Sequence, residues 1–346
     1  MPRPTTMRAW QYTSTHGGLE KNLNLNQSAA IPWPKHDQHL VQVLAVALNP
    51  IDYKPAELRL LSRLAIPKPA TPGLDFVGYL VTPAAGSSLK PGQLVHGVTG
   101  TVPMAGGGLA EYAVSKREQA VAVPKGIDRT DAATLGVAGL TAYQTIVPYV
   151  KAGDKIFING GSGGTGIFGI QIAKALGCSV TTSCSTVNVE LCKTLGADSV
   201  IDYKKQGVLE ALKASGHKFD HVVDNVGMDF ELYWKCHEYT RPGAVFMNVA
   251  GHITLSYFWD SFLRRVWPAF LGGGQRKSQG FFAQAKPEQL AQITAWMKEG
   301  KVRAIIDSKF PFEQTPQAIA KLKTSRAKGK IVVEVSSKDF RPPEGR

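Results

Sequence analysis

Acidic side chains are in short supply in this sequence. Asp and Glu number 27 against 40 Lys and Arg, which leaves 346 residues with a formal net charge of +13 and a pI near 9.5. That balance favours anionic ligands such as phosphates and says nothing of fold. No nucleic acid partner is expected, because no zinc-finger spacing, RNA-recognition aromatic signature or basic-region heptad accompanies the charge. Cysteine is scarcer still. Cys178, Cys184, Cys192 and Cys236 all fall in the second half of the chain, at spacings that make neither CxxC pairs nor a zinc knuckle, so buried free thiols in a reducing compartment are expected. Among eight histidines, His36 and His39 lie together without a Cys or carboxylate pattern beside them and read as solvated loop residues. No metal is expected. Hydrophobic runs are broken by Gly, Pro or charge well before the ~20 residues a membrane span needs. Met1 to Thr6 are too few and too proline-rich for a signal or transit peptide, and the final Glu-Gly-Arg carries no lipidation or peroxisomal signal, so a cytoplasmic location is expected.

What is present suits a loop-rich enzyme of about two domains: 43% hydrophobic residues, with 35 Gly and 21 Pro in no collagen-like period. The run Leu40 to Ala47 (LVQVLAVA) predicts an apolar strand. Lys90-Pro91-Gly92 and Gly106-Gly107-Gly108 mark turns among short segments such as Glu111 to Val114. Residues 1–126 therefore read as a β-rich domain. From Ile127 the texture changes. A helix is expected over Asp131 to Thr145, then strand Lys155 to Asn159, helix Gly164 to Leu176, strand Ser179 to Ser183, helix Val189 to Leu195, strand Ser199 to Asp202, helix Val208 to Ser215 and strand His221 to Asp224. Alternating strands and helices over 127–275 predict an α/β fold with a doubly wound parallel sheet. Residues 276–346 hold an amphipathic helix at Pro287 to Glu299 and a strand at Ile331 to Val335, which is expected to return to the first domain.

Gly161-Ser162-Gly163-Gly164-Thr165-Gly166 fits GxGxxG directly after a buried strand and at the opening of a helix. In that context the first glycine permits a tight turn, the second lets backbone approach a pyrophosphate, and the third lets the helix pack on the strand. The unpaired N–H groups of the helix start then face the phosphates. An NAD site usually places Asp or Glu at the end of the next strand to bind the ribose 2′-hydroxyl. Here Thr181 to Asn188 contain no acid, while their hydroxyls and amide can donate to a 2′-phosphate, which favours NADPH.

These residues resemble the medium-chain dehydrogenase/reductase superfamily, in its zinc-independent quinone oxidoreductase (ζ-crystallin-like) branch. Gly153-Asp154, the loop just described, Gln171 and Lys174 follow that branch's signature, with Phe157 where Leu is usual. Asn49-Pro50-Ile51-Asp52, Pro72 to Gly78, Thr141-Ala142-Tyr143 and Leu195 to Asp198 are further landmarks. The resemblance implies a GroES-like catalytic domain interrupted by a Rossmann domain, and a homodimer through the Rossmann sheet. It places Gly163-Gly164-Thr165 at the pyrophosphate, Tyr203 near the adenosine phosphate and Asn248 beside the nicotinamide. Bacterial members carry a Lys where this chain has Val187-Asn188, so Asn188, Ser183 and Ser185 are left to take the 2′-phosphate. Zinc-dependent relatives have Gly-His-Glu at Gly73-Leu74-Asp75 and Cys at Asn49.

Without zinc a saturated alcohol is a poor substrate, whereas a conjugated alkene or quinone takes hydride at carbon while charge delocalises onto oxygen. The expected activity is NADPH-dependent hydride transfer to an enone, enoyl thioester or quinone. Candidate donors are Asn49, Tyr53, Lys54 and Tyr143, of which Asn49, Lys54 and Tyr143 are taken as catalytic and expected to meet at an interdomain cleft. Asn49 reads equally as a turn residue before Pro50, Lys54 as a solvated charge and Tyr143 as a core aromatic. The aromatic segment Tyr257 to Phe270 suits core or subunit contact first, a pocket wall second and a membrane surface last. The alternatives are delivery of substrate on an acyl carrier protein, which the basic run Lys321, Lys323, Arg326, Lys328, Lys330 would meet, and a non-catalytic NADPH-binding protein.

Overall fold

In the computed structural model the described residues are 5–58, 62, 64–99, 106–249 and 255–336. The outermost termini, read above for targeting signals, lie outside them. The chain divides into two units, one formed by residues 1–140 and 284–346, the other by residues 141–283.

The first unit is built on one long strand. β1 (Thr6–Gln11) and β2 (Asn24–Ala30) form an antiparallel pair. β3 (Gln38–Leu48) is the apolar run expected from the sequence, extended at both ends. It pairs with β4 (Asp75–Thr82) and, at its start, with β6 (Tyr112–Lys116). β5 (Leu94–Val98) and β7 (Ala120–Ala122) continue the sheet beyond β4. On the other side lie β15 (Lys330–Glu334) and β14 (Ile306–Pro311), which complete seven strands. β15 runs antiparallel to β3, with Ile331 opposite Leu48 and Val333 opposite Val46, so the C-terminal strand does return to the first domain.

β3 has no polar face because both of its faces are covered. Val41, Val43 and Val46 enter a core with Trp10, Phe76 and Phe312, while Leu44, Ala45 and Ala47 meet Ala132 and Ala133 behind the sheet. The early start of β3 at Gln38 also corrects the reading of His39. It is buried, and its Nδ1 accepts the Ala84 N–H at 2.9 Å; His36 is exposed as expected.

The expected helix over Asp131 to Thr145 is two helices, α1 (Arg129–Ala133) and α2 (Val137–Ile146). Asp75 is the reason for the break. Its Oδ1 accepts the Val137 N–H at 2.7 Å, and a Cβ on Gly136 would lie 2.3 Å from the same oxygen. A continuous helix would bury that carboxylate without its donor.

The second unit is a six-stranded sheet in the order β10-β9-β8-β11-β12-β13 with every neighbouring pair parallel. Its strands are β8 (Lys155–Asn159), β9 (Ser179–Cys184), β10 (Ser199–Asp202), β11 (Phe219–Asp224), β12 (Thr240–Asn248) and β13 (Lys277–Gly280). The helices between them are α3 (Gly164–Ala175), α4 (Val189–Thr194), α5 (Val208–Ala214), α6 (Glu231–Trp234) and α7 (Leu255–Val266). This is the doubly wound Rossmann arrangement, and its strand order reverses between β8 and β11. All four cysteines are buried and free, and burial raises each thiol above its ordinary range.

The aromatic segment is anchored by charge and by two of its rings, Tyr257 against Asn248 and Trp267 edge-on to Trp234. On α7 Arg264 pairs with Asp260 at 2.5 Å and lies over the Tyr233 ring at 4.5 Å, while Trp259, Phe262, Trp267 and Phe270 are exposed. Of the basic run near the C-terminus, Arg326 and Lys328 are exposed, and the other three are paired or buried. On α9 (Thr315–Lys323), which follows α8 (Pro287–Lys298), Lys321 pairs with Asp307 and Lys323 with Glu20 and Glu57, and Lys330 is buried. No helix among the described residues is long and apolar enough to cross a membrane.

Each unit also holds a buried histidine as a clamp. In the first, Thr294 on α8 gives its hydroxyl proton to Leu290 O, so His96 Nε2–H donates to Thr294 Oγ1 at 2.9 Å. In the second, His221 Nε2–H donates to Thr145 O at 2.6 Å and the ring stacks on Tyr149. Burial lowers both rings to about 4 from an ordinary 6.5. Between those values the unfolded chain takes up a proton at each ring and the folded chain does not, so stability present above pH 6.5 is lost as pH falls toward 4. Urea unfolding should show a loss approaching ~3 kcal/mol per histidine across that window. His96→Gln, whose amide can still donate to Thr294, should flatten part of the slope; a slope untouched by His96→Gln and by His221→Gln would place the titration elsewhere.

Candidate active site

The nucleotide cradle forms where the parallel strands end. A Cβ on Gly161 would lie 2.1 Å from Thr182 Oγ1, and one on Gly166 would lie 2.2 Å from Gly160 O, so these two glycines set the packing of loop and helix on the sheet. Gly163 is different. A Cβ there meets only Gly160 O at 3.5 Å, so its emptiness serves no internal contact and leaves backbone open to a ligand. Gly163 caps α3 without a side-chain hydrogen bond, and Gly164, Thr165 and Gly166 form the first helical turn. That turn presents free N–H groups and the positive end of the helix dipole.

The switch point beside this loop is tied by polar side chains. Asn159 Nδ2 donates to Asp224 Oδ1 at 2.8 Å, and the same carboxylate accepts the N–H groups of Val226 and Gly227. Ser183 faces inward. Its hydroxyl donates to Asn159 Oδ1 and accepts the Gly160 N–H at 3.0 Å, so it braces the loop and presents no free hydroxyl. Ser162, Ser185 and Asn188 are brought together, with Asn188 Nδ2 donating to Ser162 Oγ at 3.0 Å and to Ser185 Oγ at 3.2 Å. Tyr203 stands next to them, its N–H on Cys184 O at 3.1 Å. Asn248 ends β12 opposite Asp224, and its amide donates to Tyr257 Oη at 3.2 Å. Asn159 and Asp224 were not singled out in the sequence, where each reads only as the polar end of a predicted strand.

In the first unit, Asn49 belongs to a buried polar cluster. Its Nδ2 donates to Asp75 Oδ2 at 2.8 Å and to Ala47 O, and its Oδ1 accepts from Lys330 Nζ at 2.5 Å. Lys330 Nζ also lies 3.4 Å from Asp75 Oδ2. Asp52 completes the cluster, accepting the N–H groups of Asn49 at 2.7 Å and Leu74 at 2.9 Å. Burial raises the Asp75 carboxyl and lowers the Lys330 ammonium, and the charge of each opposes that shift in the other. Asp52 is pushed up to about 7 by burial, against those two backbone donors. Lys54 follows on the next turn, half-buried, and burial lowers its ammonium. Tyr143 lies in the second unit, half-buried on α2.

The metal-binding corner of zinc-dependent relatives does not fit a metal ion here. Leu74 is buried and has no donor atom, Asn49 Oδ1 already accepts from an ammonium, and Lys330 supplies the positive charge. Among the described residues no group of three or more His, Cys, Asp or Glu is placed to hold a metal.

The cradle itself defines a class: oxidoreductases that bind a nicotinamide dinucleotide at the switch point of a parallel sheet. Comparison with known proteins narrows it. The alcohol dehydrogenase GroES-like domain model matches residues 35–125 and the zinc-binding dehydrogenase model residues 195–333. A trans-enoyl reductase of Aspergillus terreus is 45% identical over 96% of this chain and 97% of its own. The 2-methylene-furan-3-one reductase of Solanum lycopersicum is 32% identical over 95% of this chain and 79% of its own. The quinone oxidoreductase of Coxiella burnetii superposes with a TM-score of 0.80 at 26% identity, covering 95% of this chain and 99% of that one. The chain belongs to the medium-chain dehydrogenase/reductase superfamily, in its quinone oxidoreductase branch, and is an oxidoreductase of that type.

Substitutions in the glycine loop and in the buried cluster separate the roles of these groups. Gly163→Ala should leave the melting temperature unchanged and weaken nucleotide binding at least tenfold by fluorescence titration, while Gly166→Ala should lower both, since its Cβ strikes backbone. Lys330→Met strands Asp75 as a buried unpaired charge and should cost about 3–5 kcal/mol in urea unfolding. Adding Asp75→Asn should recover much of that, because the Asn49 amide can then turn to accept from the new one.

Proposed function

We propose that the protein is an NADPH-dependent reductase that adds hydride to an alkene conjugated to a carbonyl or thioester, or to a quinone, without a metal ion. The observation that carries this reading is the Lys330 ammonium in the corner that holds zinc in other members. Alcohol oxidation there relies on a Lewis acid against an alkoxide. A conjugated acceptor asks less, because hydride arrives at carbon and the charge that develops on oxygen can be met by a hydrogen-bond donor. The names of the relatives point the same way: an enoyl reductase, a quinone oxidoreductase and a reductase whose named substrate is an exocyclic enone.

When bound, the reduced nicotinamide supplies the hydride. The N-terminus of α3 and Gly163 hold the pyrophosphate, and Ser185, Asn188 and Tyr203 hold the adenosine ribose. Lys54 holds the proton. Burial lowers its ammonium, which makes it a stronger acid and a better match to a developing enolate or hydroquinone oxygen. Asn49, with both polar ends of its side chain engaged, fixes the start of the turn that carries Lys54. Tyr143 is the second donor. The relatives named as enoyl reductases also favour an enoyl thioester, free or carrier-bound, over a quinone.

NADPH oxidation screened against quinones, free enones and enoyl thioesters tests the reading. kcat/KM should favour NADPH over NADH by more than tenfold, or ~1.4 kcal/mol, and Ser185→Asp should narrow that preference. Lys54→Ala should lower kcat by ~10² to 10³ with nucleotide affinity unchanged. Because a donor must be protonated, kcat should fall as pH rises through a value below the ordinary 10.5 of lysine, and this limb should vanish in Lys54→Ala. Full activity of that variant would pass the role to Tyr143, and one zinc per purified chain would overturn the metal-free mechanism.

A further inference from the structure

The adenosine end of the cradle has no Lys or Arg at the end of β9, yet the fold brings a cation to it from the neighbouring strand. β10 runs parallel to β9 with Asp202 opposite Cys184, and the Tyr203 N–H is bonded to Cys184 O. Tyr203 therefore lies about one strand spacing, ~4.8 Å, from the start of the Ser185 to Asn188 turn, and Lys204 follows it directly in the chain.

That position is fixed by local bonding. Asp202 Oδ1 accepts the Lys204 N–H at 3.0 Å, and Asp202 O accepts the N–H groups of Lys205 and Gln206. The Lys204 ammonium lies 5.6 Å from the centroid of the Tyr203 ring, which is 49% exposed. Among the described residues no carboxylate pairs with Lys204, whereas nearby Lys174 and Lys193 are paired with Asp198 and Glu190. A second observation points to a ligand at the same place. Asn188 is 8% exposed and uses its amide N–H groups on Ser162 and Ser185, which leaves Oδ1 buried without a donor. A ribose hydroxyl supplies one.

We propose that Lys204, resting on Tyr203, is the cation that receives the adenosine 2′-phosphate and so sets the preference for NADPH, an assignment that rests on the cofactor reading above. A phosphate monoester carries close to two negative charges at neutral pH and suits a lysine as a point charge. The serines and Asn188 then orient the ribose, and the discriminating charge comes from the strand beyond them.

The test needs no turnover. Calorimetric titration of the full-length protein with 2′,5′-ADP and with 5′-AMP measures the 2′-phosphate contribution directly. The wild type should bind 2′,5′-ADP at least about tenfold more tightly, the size of one charge-assisted contact. Lys204→Ala should lose about tenfold on 2′,5′-ADP and stay within about twofold on 5′-AMP, while Lys204→Arg should keep the preference and Lys205→Ala should leave it intact. Equal weakening of both ligands by Lys204→Ala, or none, overturns the assignment, as does a loss confined to Lys205→Ala. A wild type that binds both ligands equally overturns the NADPH reading itself, and the role of Lys204 with it. A preference that survives Lys204→Ala removes only the latter.

Discussion

The buried ammonium of Lys330 is the contact on which the first unit turns. It comes from the start of β15 and meets Asn49 at the end of β3 and Asp75 at the start of β4. Through Asp75 it reaches the N-terminus of α2, and through Asn49 it reaches Asp52 and the turn that carries Lys54. Elements separated by up to 281 positions in sequence are held at one corner by charges and amides that have almost no access to water. Such a cluster is costly to desolvate and is stable only while every member is present. It does little to raise net stability, but it selects one arrangement of the C-terminal strand, because any other leaves Asp75 buried alone.

The same corner places a lysine ammonium where zinc-dependent relatives hold their metal, and this is what our proposal of a metal-free reaction rests on. A positive charge is retained, but it is covalently attached to the chain and inaccessible to substrate, so it stabilises the scaffold instead of polarising an oxygen. In the mechanism we propose, substrate activation falls to groups at the edge of the cluster, of which Lys54 is the nearest in sequence with a lowered pKa. The nucleotide side shows a comparable division. Ser183, Asn159 and Asp224 hold the strand ends in register, and Gly163, Ser185 and Asn188 are the residues our proposal gives to the ligand.

The first four strands of the second unit were legible in the sequence, whereas Thr240–Asn248, Lys277–Gly280 and the short helix Glu231–Trp234 were not read from it. Strands Lys155–Asn159 and Ser199–Asp202 have the bounds read from the sequence, and the helix from Gly164 differs by one residue at its end. Local alternation of apolar runs and glycine turns fixes such elements, since each strand is buried by the helices that follow it in the chain. The glycine loop was legible for the same reason. The misreadings have a common origin in contacts made at long range: the break at Gly136 answers to Asp75, and His39 is turned inward by strands β4 and β6.

The sequence by itself determined the alternating parallel sheet, the dinucleotide loop at its first turn, the absence of an acid after the second strand and the presence of a strand at the end of the chain. These follow from periodicity and from what glycine, acid or hydroxyl does within a few residues of itself. Only the tertiary structure decided which of the chemically equivalent groups are available. Ser183 and Ser185 differ by two positions, and one is sealed by Asn159 while the other borders the open cradle. Lys330 and Lys204 are both lysines beside a strand end, and one is enclosed by Asp75 and Asn49 while the other stands over an exposed ring. Burial and pairing set the charge a side chain can offer, and both are properties of neighbours that strand pairing brings from elsewhere in the chain.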